Sequence, residues 1–154
     1  MKAYFDLIKQ RIAELNEIRS VHWYNGQYER YDETRPPDLP AVYVGFDNPV
    51  YWQTAGGGVQ VAPETTVRLH LVVKDLDDKP DKLWELGNLL HRHMHLWPVP
   101  DDDMIMTTLM RSQWEWRQYD QLKVLIIGYK TALYDYSTVP QTTTVLLRPV
   151  IEKK

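Results

Sequence analysis

The chain has 154 residues, of which 44% are hydrophobic and 25% charged, enough for one folded domain with a real core. Its net charge is −3, with Lys and Arg scattered and never in a run, which argues against a general nucleic-acid binder. It contains no cysteine, so disulfides, thiolate metal sites and cysteine nucleophiles are excluded, and no apolar run approaches the roughly 20 residues that a bilayer crossing needs. The opening residues, Met1 to Asp6, do not read as the apolar core of a signal peptide.

Residues 2–19 predict a helix, with Phe5, Ile8, Ile12 and Leu15 in one stripe and Tyr4 and Ile18 at its margin. Val21 to Tyr24 predicts a short strand, Asn25-Gly26 a turn, and Gln27 to Tyr31 a returning hairpin partner. Arg35-Pro36-Pro37 and Pro40 mark a loop. Ala41 to Phe46 is a strong strand in which Val42, Val44 and Phe46 face one way. Residues 48–65 predict a long hairpin whose tip, Gly56-Gly57-Gly58, is expected to be mobile. No phosphate-loop pattern surrounds the glycines. Tyr51 and Trp52 at the hairpin base are candidate contact residues.

Residues 66–74 alternate as a half-buried strand, with Val67, Leu69, Leu71 and Val73 on the apolar side. The period then changes. Leu83, Leu86, Leu90, Met94 and Trp97 fall at helical spacing, with Asp78 placed to cap the helix, Pro80 suited to its first turn and Pro98 to its end. Met104 to Arg111 and Ser112 to Arg117 look extended, with Trp114 and Trp116 on one face and Glu115 on the other. Leu122 to Leu133 is apolar on both faces, which places it inside a sheet. After Tyr136 the pattern weakens, and Leu146 and Leu147 lie in an apolar patch fit for docking. The expected fold is α+β: one domain over residues 1–135, a mainly antiparallel sheet with both helices on one face, a long flexible hairpin, and an extended C-terminal segment over 136–154.

Aromatic usage is uneven, with 6 Trp and 10 Tyr against 2 Phe. Trp and Tyr pair a large apolar body with a polar handle and suit surfaces that are sometimes wet and sometimes covered. The sharpest chemical pattern is His91, His93 and His95. On a helix, His91 and His95 share a face at a metal-ligand spacing, while His93 points elsewhere. Asp101, Asp102 and Asp103 follow, but no His-Glu-x-x-His pattern is present, and a solvated helix end is the favoured reading. No calcium loop, nucleophile elbow or Ser/His/Asp set can be assembled, so neither a cofactor nor a catalytic centre is expected.

The order of elements resembles the tail-terminator, or tail-completion, proteins of long-tailed phages and prophages. The likeness lies in layout over most of residues 1–135: a helix from Tyr4 to Arg19, the Pro-bounded strand Leu39 to Val44, the glycine-bearing hairpin Asn48 to Thr65, the strand-helix unit Val67 to Trp97, and closing strands ending at Tyr129 to Asp135. The resemblance implies a non-enzymatic virion component, assembled in the cytoplasm of a bacterial host. Such proteins form a ring with copies of themselves, usually a hexamer, on the tail tube protein, and support the head-tail connector protein. It implies neither a membrane nor a sequence-specific nucleic-acid partner. The candidate interface residues are Tyr51, Trp52, Gly56, Gly57, Gly58, Trp114, Trp116, Leu146 and Leu147. The competing readings are a small metal-dependent enzyme built on His91 and His95, and a generic α+β adaptor domain.

Overall fold

The computed structural model describes residues 1–30, 38–75 and 79–140. Helix α1 (Lys2–Ile12) leads to strand β1 (Ser20–Trp23), a 3-10 turn (Gln27–Arg30) and β2 (Ala41–Phe46). The short β3 (Gln53–Thr54) turns through Gly56–Gly58 into β4 (Gln60–Lys74). Helix α2 (Lys82–Met94), β5 (Met110–Tyr119) and β6 (Leu122–Asp135) follow. The strands form one sheet in the order β1-β2-β4-β6-β5, with β3 attached to the start of β4. The β1–β2 pair is parallel and the other pairs are antiparallel, so the fold is α+β.

Strand alternation gives the sheet two unlike faces. On one, Tyr4, Ile8 and Ile12 of α1 and Leu83, Leu86, Leu90 and Met94 of α2 pack on Val42, Val44, Leu69, Leu71, Leu125 and Ile127. Both helices therefore cover the same face; the α2 stripe from Leu83 to Met94 is buried as expected, whereas in α1 Tyr4, expected at the margin, is buried and Phe5 is only partly covered. A Cβ on Gly87 would run into Leu125 Cδ2, so α2 closes on β6 with nothing between. On the other face, Ala41, Tyr43, Val72, Val124 and Ile126 form a second cluster, covered by Tyr28 from the 3-10 turn. This second core explains why β6 is apolar on both sides.

Several boundaries differ from expectation. Helix α1 ends at Ile12, not near Arg19, closing with Ala13 N–H on Lys9 O and Glu14 N–H on Arg11 O. Leu15 and Ile18 still pack on the core from the following turns, because apolar residues three apart suit consecutive turns as well as a helix. The expected hairpin after Asn25-Gly26 does not form. Gln27–Arg30 is a 3-10 turn, and β1 pairs instead with β2. Strand β4 starts at Gln60 and takes in the return arm of the glycine hairpin.

The hairpin tip is a defined turn, with Ala55 N–H on Val59 O and Gly58 N–H on Ala55 O. Gly57 and Gly58 sit at φ 74° and 83°, the left-handed region that favours glycine. Pro80 precedes α2 rather than lying in its first turn, and Asp81 stands at the N-cap without a side-chain bond to the helix. Trp97 lies past the end of α2. Between Met104 and Leu109, strand pairing is limited to a single bridge from Met106 to Leu133. Asp78 and residues 141–154, including Leu146 and Leu147, lie outside the described residues.

The stripe of α2 makes a direct test. Leu90 is fully buried between α2 and the sheet, whereas Leu89 is only partly covered. Leu90→Ala should cost about 2–5 kcal/mol in chemical denaturation, and Leu89→Ala clearly less.

Candidate functional site

Most exposed indoles gather at two places. On the β5 side, Trp114 and Trp116 project from the helix-bearing face, opposite Ile127 and Leu125 of β6. Glu115 projects the other way, opposite Ile126. Trp84 of α2 meets Trp116 edge-on at 6.3 Å, and Arg111 lies over the Trp114 ring. Trp116 is 52% exposed. The expected shared face of Trp114 and Trp116 is therefore present, and Trp84 extends it. Trp84 gave little signal in sequence because it sits beside, not within, the apolar stripe of α2.

On the β1 side, Trp23 is 42% exposed and packs between Phe5 of α1 and Phe46 of β2, with ring centroids 5.4 Å from each. Trp52 lies near Tyr4 at 6.4 Å, and Tyr51 is 79% exposed. Trp23, Phe46, Pro49, Val50 and Trp52 line a groove of about 610 Å3 that Met1, Asn25 and Asn48 also border. Its acidic member, Asp47, is already held by Arg68 at 2.8 Å and by the Thr66 N–H at 2.8 Å. The groove is lined mainly by aromatic and apolar side chains. Trp23 was not singled out in sequence because the alternation around it is poor. Gly56, Gly57 and Gly58 lie at the hairpin tip, where the Thr138 hydroxyl donates to Gly58 O at 3.1 Å.

His91, His93 and His95 each have one ring nitrogen within hydrogen-bond distance of a protein atom. His91 and His95 do come together, with ring centroids 4.9 Å apart. His91 Nδ1 is bonded to the Tyr129 hydroxyl at 3.0 Å, and His95 Nδ1 accepts the Arg111 N–H at 3.3 Å. Burial, Arg111 and His95 together hold the His91 imidazole below its ordinary pKa. His93 turns toward α1, where its Nε2 lies 2.8 Å from Arg11 O and 3.1 Å from Glu14. Among the described residues no three His, Asp or Glu side chains converge as a metal site. The Glu115 carboxylate, bonded by Arg117 Nε at 2.7 Å, is held below the usual range, the opposite of a primed general acid.

A buried polar arrangement lies on the face away from the helices. His70 of β4 is buried, stacked under Tyr24 at 4.0 Å with the rings 11° apart. The Tyr28 hydroxyl and His70 Nδ1 are hydrogen-bonded at 2.7 Å. Burial, then Arg68 and Arg117, push the His70 pKa down to about 4, so the ring is neutral and its Nδ1 can accept. Burial also raises the Tyr28 pKa, so its hydroxyl stays protonated. This clamp holds the turn Gln27–Arg30 over the second core. Sequence reading missed it, since His70 sits among strand residues with nothing local to mark its partner 42 positions away.

No protein-family model matches the chain, and no curated protein matches it.

The clamp predicts a pH dependence. The His70 pKa falls from 6.5 unfolded to about 4 folded, so the unfolded chain binds the extra proton between those values. Its contribution to stability is fully present above pH 6.5 and is lost as pH falls toward 4, a loss on the order of 3 kcal/mol. His70→Gln, whose amide can still hydrogen-bond Tyr28 but does not titrate, should flatten the stability-pH slope over this window in denaturation series. An unchanged slope would remove His70 as its cause.

Proposed function

We propose that this chain is a non-enzymatic structural protein that closes head-to-tail with its own copies into a ring on the end of a phage-type tail tube. That is the role of the tail-terminator proteins it resembles. The observation that carries the reading is the pair of unlike aromatic surfaces at opposite edges of one sheet. One is built on Trp23, Tyr51 and Trp52, the other on Trp84, Trp114 and Trp116. A ring needs two different patches per subunit, each complementary to the other, whereas a two-fold dimer needs one patch used twice. Exposed indoles beside polar neighbours are the composition of interface cores, and aromatic anchors carry much of the binding energy there.

The partners follow from this role. They are further copies of the chain, the tail tube protein below the ring, and the head-tail connector protein above it. The net charge of −3 suits a passage that DNA traverses without adhering. The role requires no cofactor.

Sedimentation should reveal a concentration-dependent closed ring of about six copies, and added ring should halt the growth of tube protein. Two variants test the head-to-tail geometry. One carries Trp23→Glu and Trp52→Glu; the other carries Trp84→Glu and Trp116→Glu. Each alone should lose self-association, because every contact needs one patch of each kind. The expected weakening is ~30-fold for each lost anchor, corresponding to about 2 kcal/mol per anchor. Mixed together they should form a heterodimer and nothing larger. Self-association unchanged in both variants would remove these patches from the assembly. A wild-type chain that stays monomeric even with tube protein would end the ring reading.

A further inference from the structure

The sheet ends in β1 on one side and β5 on the other, and among the described residues neither has a strand on its outer side. Such an edge presents backbone N–H and C=O groups that can template another strand, although on β1 the Trp23 carbonyl already accepts from Gln27 Nε2 at 2.6 Å. Strand β5 is ten residues long and contains neither Pro nor Gly. Its one irregularity falls between Arg111 and Gln113, so Gln113 to Tyr119 keeps a regular edge.

We infer that neighbouring copies join by strand pairing, the outer edge of β5 in one copy hydrogen-bonding antiparallel to the outer edge of β1 in the next. This rests on the head-to-tail reading above and specifies its contact. Strand direction supports it. β1 runs with β2, and direction then alternates through β4, β6 and β5, so the two outer strands run opposite ways. A rotation about an axis along the strands therefore brings β5 beside the next β1 as an antiparallel pair and keeps every helix layer on the same side. A β5-to-β5 contact needs a two-fold axis, and the resulting dimer leaves both β1 edges unused.

The faces also match. Val21 and Trp23 of β1 lie on the helix-bearing face, as do Trp114 and Trp116 of β5. His22 lies on the opposite face, as do Glu115 and Arg117. Joined edges thus set indole beside indole on one face and imidazole near carboxylate on the other. β1 has four residues, which sets the length of the pairing. At about 3.3 Å per residue that is roughly 13 Å of ladder, flanked by the aromatic side chains.

The chain has no native cysteine, so cross-linking can be read directly. His22→Cys would be purified separately from Gln113→Cys, Glu115→Cys and Arg117→Cys, whose side chains share its sheet face. Each variant's thermal melt would be matched to wild type. The cross-link forms where Cα atoms come within about 7 Å, so the three β5 positions cover the possible registers. Mixing His22→Cys with one of them under mild oxidant should give a covalent heterodimer on a non-reducing gel, with none from any variant alone. Carrying both changes in one chain should give a ladder that stops at the ring size. Covalent dimers from a β5 variant alone, without heterodimer, would overturn the inference in favour of a two-fold contact. Rings that sediment normally without a cross-link at any position would overturn strand pairing and leave the ring standing. Monomers that neither sediment as rings nor cross-link would end both.

Discussion

The pairing of β4 with β6 is the constraint on which the rest of the molecule depends. The two strands run 15 and 14 residues, and their ladder extends from Gln60 opposite Asp135 to Lys74 opposite Leu122, with one irregularity between Ala62 and Thr65. Because side chains alternate, this one ladder supplies both cores. Leu69, Leu71, Leu125 and Ile127 meet the helices, while Val72, Val124 and Ile126 meet Tyr28 and Tyr43. β2 and β5 then attach to the two outer sides of the ladder, and β1 to β2.

The two faces are closed by different physics. The helix layer is held by apolar stripes whose burial scales with area and has no required geometry. The opposite face is closed by a short turn, which brings little apolar surface. There, one directed bond from Tyr28 to His70 and one stacked ring, Tyr24, fix where the turn sits. A hydrogen bond in a buried site is costly to leave unmade, so the turn has one position rather than several. The neutrality of His70 is part of that arrangement, since charging the buried ring would carry a desolvation cost.

Much of this layout was legible in sequence because it rests on period. The stripe Leu83, Leu86, Leu90 and Met94 gave α2, and the two-faced apolar pattern from Leu122 placed β6 inside the sheet. Pairing partners were harder to read. Val21 to Trp23 looked like half of a local hairpin, because Asn25-Gly26 is a strong turn signal. The chain instead spends Gln27–Arg30 on covering a core and pairs β1 with a strand about twenty residues later. The same limit applies to the candidate surfaces. Trp114 and Trp116 could be assigned to one face from alternation alone. Trp23 and Trp84 join the surfaces only when separate elements meet in space.

The long central ladder also has a mechanical consequence. A load applied along the strands acts on the β4–β6 pair in shear, so its backbone bonds resist together instead of opening one after another from an end. The same bonds pulled sideways would unzip in sequence at much lower force. A subunit oriented with its strands along the direction of stress would therefore hold its shape under tension that would unravel a domain loaded across its sheet.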